Sequence, residues 1–274
     1  MQRTICLPFS SANERAGDSS LSAAFSIAQQ LGASVEVVIH ELEVPSMLRP
    51  FGTLMLDVES MARQAEADSR KTVHEIKERL QTLAATYSTS IAIRVFRSSL
   101  EMAGAHLAEH SRLGGLCVVA GAEGAGFIEE LIFGSGGPVL LLPHISLAAP
   151  LHSVALAWDG SRVAARTLRD SMLLLSPGAH VHLLTITQEK RLEGIGPDVV
   201  AGFLERHGLV VSQVEAERDA SETIGAQLQR VARTRDASLL AMGAYGHQRL
   251  YEFILGGATR SVLNDLQLPI LMSH

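Results

Sequence analysis

The residues best placed to do chemistry form a glycine constellation near the end of the chain. Gly243, Gly246, Gly256, Gly257 and Thr259 follow the pattern G-x2-G-x9-G-G-x-T, after an apolar run ending at Met242 and before a helix-like run through Arg260-Ser-Val-Leu263. Glycines just past a strand let the backbone approach a ligand with no Cβ in the way. At a helix start, Gly256, Gly257 and Thr259 would turn free N–H groups and the positive end of the helix dipole toward an anion, and a phosphate is the natural occupant. A second turn, Asp159-Gly160-Ser161, follows another strand-like run. It would lie at the same carboxyl edge of an α/β sheet, where ligands bind at the switch point. The same three letters are also good turn and N-cap chemistry. Together, in strand and helix context, the two motifs point to a nucleotide-type phosphate site.

Other clusters are weaker. His106-Leu-Ala-Glu109-His110 fits an H-x-x-E-H metal pattern, since residues four apart share a helix face. No third ligand is identifiable, and the better reading is a pair of exposed histidines on a crossover helix. His180 and His182 fall on one side of a strand and are placed at its exposed end. Neither a G-x-x-x-x-G-K-[ST] loop nor a G-x-S-x-G elbow occurs, and no Glu or Lys base stands beside the glycine turn. No catalytic residue and no metal ligand is assigned.

The elements that must position these residues come in two copies. Gly121-Ala-Glu-Gly124 and Glu130-Leu-Ile-Phe-Gly134 match Gly243-Ala-Tyr-Gly246 and Glu252-Phe-Ile-Leu-Gly256 at a constant offset, and each copy precedes a Pro-led apolar run, at Pro138 and Pro269. Thr4 to Phe9 likewise matches Ser153 to Trp158, with Ser10 facing Asp159. A loop-like stretch from His144 to His152 separates the copies, giving domains 1–146 and 152–274. In each, short apolar runs alternate with helix-length amphipathic runs, the pattern of a doubly wound parallel sheet. The spacing predicts strands near 153–158, 180–186, 211–217, 238–242 and 269–273. It also predicts a long helix from about Val58 to Tyr87, with Val73, Ile76, Leu80 and Leu83 as its buried stripe. An apolar insertion from Pro45 to Gly52 could line a pocket. Fewer residues separate Gly134 from Pro138 than Gly256 from Pro269. The first half is therefore expected to lack the helix that would hold phosphates, and to be chemically degenerate. The two Pro-led strands are expected to pair antiparallel.

Composition narrows the partners. The chain of 274 residues is 47% hydrophobic and carries a formal charge of -6, which repels a nucleic-acid backbone. No apolar run approaches the roughly 18 residues of a membrane span, and no cationic leader precedes the first strand. Cys6 and Cys117 lie in separate apolar runs without metal spacing, so both are expected to be buried, inert thiols on neighbouring strands in a reducing cytoplasm.

With these motifs in hand, the sequence resembles the universal stress protein family. Residues 153–274 match along their length, and residues 1–143 match as a diverged copy, so it looks like a tandem, two-domain member. The resemblance implies two Rossmann-like, adenine-nucleotide-binding-type domains and an ATP site, with or without Mg, in the second. There Asp159 and the backbone near Ile186 would meet adenine, and Met242 would line its pocket. Gly243 and Gly246 would approach ribose and phosphates, and Gly256, Gly257 and Thr259 would hold phosphates. Gly257 stands where the family usually offers a hydroxyl. The implied role is stress response or signalling with ATP as a regulatory ligand and at most weak ATPase activity. The alternatives are a slow ATP hydrolase or a nucleotide-free scaffold. The two halves would pair as an intramolecular pseudo-dimer, with a further homodimer open.

Overall fold

The computed structural model describes residues 3–12, 16–45, 56–122, 126–144, 152–187, 194–244 and 257–274. The chain divides into two compact units: Met1–Ala120 with Ala125–Gly137, and Gly121–Gly124 with Pro138–His274. Most of the expected boundary, residues 145–151, and most of the apolar insertion, residues 46–55, lie outside the described residues.

Unit 1 runs β1 (Thr4–Ser10), α1 (Asp18–Gln30), β2 (Ser34–Leu42), α2 (Leu56–Thr86), β3 (Ile91–Ser98), α3 (Leu100–Ser111), β4 (Leu116–Ala120) and α4 (Ile128–Gly134). Its strands lie in the order β3-β2-β1-β4 and all pair parallel. β1 and β4 read as nearly continuous apolar runs because helices cover both faces of a parallel sheet. Edge strand β3 is a mixture of half-buried and exposed residues, with only Ser98 buried, and its Arg94 and Arg97 pair with Glu36 and Glu41 of β2. Charge on an edge strand discourages pairing with another chain. The predicted stripe of α2 is present: Val73, Ile76 and Leu80 are buried, and Leu83 is half-buried.

Unit 2 begins with β5 (Val139–Leu142) and continues β6 (Ser153–Ala157), α5 (Arg162–Ser171), β7 (His180–Thr187), α6 (Pro197–Arg206), β8 (Val210–Glu217), α7 (Ile224–Thr234), β9 (Leu239–Gly243), α8 (Gly257–Asn264) and β10 (Ile270–Ser273). The strand order is β5-β10-β9-β6-β7-β8. All pairs are parallel except β5 with β10, where Met272, Leu271 and Ile270 face Val139, Leu140 and Leu141. The expected antiparallel pairing of the two Pro-led strands is thus present, and Val139, Leu141, Ile270 and Met272 are fully buried. Helix starts follow local chemistry. The side chains of Ser161 and Thr223 accept hydrogen bonds from the amides of Ala164 and Ala226, and Pro197 opens α6.

One expectation is corrected. The first half does not lack the helix before its last strand: α4 packs on α3 as α8 packs on α7. The shortened part is the connection ahead of that helix, seven residues (121–127) after β4 against thirteen (244–256) after β9. Gly134, the letter-for-letter match of Gly256, therefore sits at the C-terminal end of a helix. A Cβ there would come 2.9 Å from Ala108 Cβ, so the glycine serves helix packing.

Candidate functional site

The chain leaves β6 toward β7 and β8, then returns to place β9 on the other flank of β6. The carboxyl ends of β6 and β9 therefore bound the switch point of this sheet, the position where open α/β sheets take ligands. Asp159 follows β6, Met242 and Gly243 end β9, and Ile186 lies near the end of β7, so three adjacent strands bring these predicted residues to one edge.

The β6 ladder ends at Ala157↔Leu184, and the Trp158 amide adds a last bond to Leu184 O at 2.8 Å. The chain then turns through Gly160, whose φ of 78° suits glycine. Asp159 is exposed, and its Oδ1 accepts from the Ser161 amide at 2.9 Å. Its Oδ2 takes no hydrogen bond among the described residues. Trp158 is buried, and its Nε1 donates to Ile195 O at 2.9 Å. Gly194, at φ 85°, lies beside this turn, where a Cβ would make ordinary contact with Gly160 O at 3.6 Å. These contacts fasten the segment ahead of α6 beside the Asp159 turn.

Gly243 has a packing reason for lacking a side chain. A Cβ would come 2.7 Å from Val163 Cγ2 and 3.0 Å from the Ala164 amide nitrogen, so the first turn of α5 rests directly on it. Met242 is buried in β9 opposite Met272. Gly257 opens α8 at the surface, and a Cβ there would have nothing within 4 Å, whereas Thr259 is only 2% exposed. Backbone donors, not the threonine hydroxyl, are what the start of α8 offers to solvent. Gly246 and Gly256 lie outside the described residues.

Two residues escaped the sequence reading. Thr185 Oγ1 on β7 and Ser273 Oγ on β10 are buried at the carboxyl ends of their strands without a hydrogen-bond partner among the described residues. Their signal was a polar residue closing an otherwise apolar run, Leu183-Leu184-Thr185 and Leu271-Met272-Ser273.

The corresponding edge of unit 1 is filled. β1 pairs with β2 as far as Ser10↔His40. His40 stands six residues past the first paired residue of β2, as Ile186 does in β7. Its Nε2 lies 2.9 Å from Ser98 O and so carries the proton, leaving Nδ1 to accept from Ser10 Oγ at 3.2 Å. Burial holds this imidazole below its ordinary pKa, with His106 adding to the effect and the Ser98 carbonyl and Glu41 opposing it. Beyond it, Ser69 of α2 accepts from the Leu42 amide at 2.8 Å and shares a 2.6 Å hydrogen bond with Ser11. Glu66 accepts from the Val44 amide at 3.0 Å.

The remaining histidines differ from expectation. His106 and His110 are half-buried against Phe96, with ring centroids 5.8 and 4.9 Å away, because α3 packs over β2. His182 is buried and bonded through Nδ1 to Ser212 at 2.8 Å. Burial, then the charges of His180 and Arg235, lower its pKa. Among the described residues no group of three or more His, Cys, Asp or Glu could hold a metal, and no helix is long and apolar enough to cross a membrane.

The fold of two such α/β units has counterparts among solved structures. A universal stress protein from Archaeoglobus fulgidus DSM 4304 covers 98% of this chain and 97% of its own, with a TM-score of 0.71 at 12% identity. A universal stress protein candidate from Pseudomonas aeruginosa UCBPP-PA14 covers 99% and 93%, with a TM-score of 0.55 at 15% identity. A protein of unknown function from Pseudomonas aeruginosa PAO1 covers 99% and 92% at the same TM-score and identity. No protein-family model and no curated protein matches the sequence. The chain has the universal stress protein fold, an α/β architecture of Rossmann-like type.

Proposed function

We propose that the chain is a nucleotide-binding stress or signalling protein of the universal stress protein family, holding one ATP in unit 2 as a regulatory ligand. The observation that carries this reading is the difference between the two switch points. The pairing of β6 with β7 stops two residues short of Ile186, whereas in unit 1 the matching position is occupied by His40 with both ring nitrogens bonded.

The residues of unit 2 fit an adenine nucleotide. Asp159 keeps one carboxylate oxygen for a base or ribose donor. Thr185 carries a buried hydroxyl without a partner, beside Ile186. A buried hydroxyl left unbonded costs about 1–3 kcal/mol, which a ligand's hydrogen bond would recover. Ile186 and Met242 would flank the base. Gly243 and Gly246 would let the backbone near the ribose and phosphates, and Gly256, Gly257 and Thr259 would bring the start of α8 to the phosphates. Exposed Gly257 leaves that helix end open. The long connection ahead of α8 is the part that unit 1 has shortened.

Calorimetric titration of the full chain with ATP, with and without Mg, tests the reading. One site per chain is expected, lost when Gly246 or Gly256 is replaced by a bulky residue and retained when Gly124 is. Two sites per chain would refute the asymmetry. A folded wild type that takes up neither ATP, ADP nor AMP would favour the scaffold reading.

A further inference from the structure

The only two cysteines of the chain face one another. Cys6 of β1 and Cys117 of β4 are direct register partners in a parallel pair, so their side chains leave the same face of the sheet. Neighbouring strands lie about 4.8 Å apart, within the Cα separation of about 4.4–6.8 Å that a disulfide spans. The register thus puts the two residues within the Cα range of a disulfide.

The surroundings make a built site of the pair. Both thiols are buried and both meet one hydroxyl: Ser111 Oγ lies 3.3 Å from Cys6 Sγ and 4.0 Å from Cys117 Sγ, while its own proton goes to Leu107 O at 2.7 Å. The α3–β4 turn closes over them. A Cβ on Gly114 would come 2.9 Å from Cys6 Cβ, and the Gly115 amide donates to Thr4 O at 2.9 Å. The hydrogen bond from Cys117 holds the Cys6 thiol below its ordinary pKa against the opposing effect of burial, and the same bond together with burial raises Cys117. The pair is divided into a better nucleophile and a proton-holding partner.

We propose that Cys6 and Cys117 are a dithiol oxidation site, converted in the folded chain to a disulfide between β1 and β4 by a hydroperoxide. The Cys6 thiolate attacks the peroxide O–O bond, forming a sulfenic acid and releasing hydroxide, which takes a proton to become water. Cys117 then attacks the sulfenic sulfur, the S–S bond forms, and the sulfenic oxygen leaves as a second water. Two thiols lose two electrons and two protons, and one hydrogen peroxide becomes two waters. Both cysteines stand toward the amino ends of their strands, away from the carboxyl edge that carries the switch point, so the site does not depend on nucleotide binding.

The test treats the folded full chain with hydrogen peroxide, blocks remaining thiols under denaturing conditions without reductant, and maps peptides by mass. A Cys6–Cys117 linked peptide in most chains, returned to two thiols by dithiothreitol, is the expected result. Cys117→Ser should leave Cys6 as a sulfenic acid trapped by dimedone, and Cys6→Ser should leave Cys117 unoxidised. The proposal is overturned if the wild type retains two blockable thiols after treatment that oxidises free cysteine, or if the linked peptide forms only once denaturant has unfolded the chain.

Discussion

In unit 1 the pairing of the first strand with the second runs through Ser10↔His40, whereas in unit 2 it stops at Ala157↔Leu184, two residues earlier in each strand. The longer ladder sets Ser10 and His40 side by side at the strand ends, where unit 2 has the Asp159 turn and Ile186. The side chains there are polar and locally satisfied: His40 between Ser10 and Ser98, and Ser69 between Ser11 and Leu42. The helix that follows the second strand has 31 residues in unit 1 and 10 in unit 2, which lets α2 supply Glu66 and Ser69 beside the strand ends. The two units thus differ at this edge by one extended ladder and one lengthened crossover, with the order of strands unchanged.

Glycine substitutions should break the comparison most sharply. Gly243→Ala forces a Cβ against backbone of α5, and overpacking of this kind costs about 1–3 kcal/mol. It should also displace the Asp159 turn, so denaturant melts should show lower stability and calorimetry should show ATP binding largely lost. Gly134→Ala, pressed against Ala108, should lower stability by a similar amount and leave ATP affinity unchanged. Next in size, Asp159→Ala should weaken ATP by about 1.5–3 kcal/mol, the loss of a hydrogen bond to a charged group, with Ser10→Ala as the silent counterpart in unit 1. Thr185→Val should act in opposite directions on two readouts. Removing an unpartnered hydroxyl leaves Tm unchanged or raised, while ATP binds about 1 kcal/mol more weakly. An affinity unaffected by Thr185→Val would remove that hydroxyl from the site.

The smallest effect is on pH dependence. His40 has a folded pKa below its ordinary value of 6.5, because burial disfavours the imidazolium. As pH falls through that value the unfolded chain takes up the proton first, so the contribution of His40 to stability is full above it and is lost on acidification toward the lower folded pKa. His182 does the same in unit 2. Thermal melts between neutral pH and a pH of about 5 should therefore show stability falling with acid, and His40→Gln should flatten part of that slope without altering ATP affinity at neutral pH.

Much of the fold was legible because its signals are periodic. Alternating strand and helix runs, the buried stripe of α2 and the Pro-led strands are properties of pattern. The helix before β5 was misread because the shortfall in chain length between Gly134 and Pro138 was charged to that helix and not to the connection ahead of it. Packing against Ala108 decides where Gly134 goes, and that contact spans 26 residues of chain. Of the site, Asp159, Ile186, Met242 and Gly243 do converge on one sheet edge. The packing role of Gly243 and the burial of Thr259 were hidden, since both depend on which helix lies over them. The histidines were misjudged for the same reason: Phe96 and Ser212, their partners, come from neighbouring strands.

The Trp158 indole, bonded to Ile195 beside the Asp159 turn, is the chain's only one. Light absorbed at wavelengths selective for tryptophan is therefore emitted from a single address in the molecule. Buried indole emits toward the blue, and the N–H bond to a backbone carbonyl makes that emission sensitive to any shift of the segment ahead of α6. Steady-state fluorescence consequently follows the Asp159 turn of unit 2 alone, while unit 1 stays optically silent. The protein carries a built-in reporter, needing no label, beside that turn.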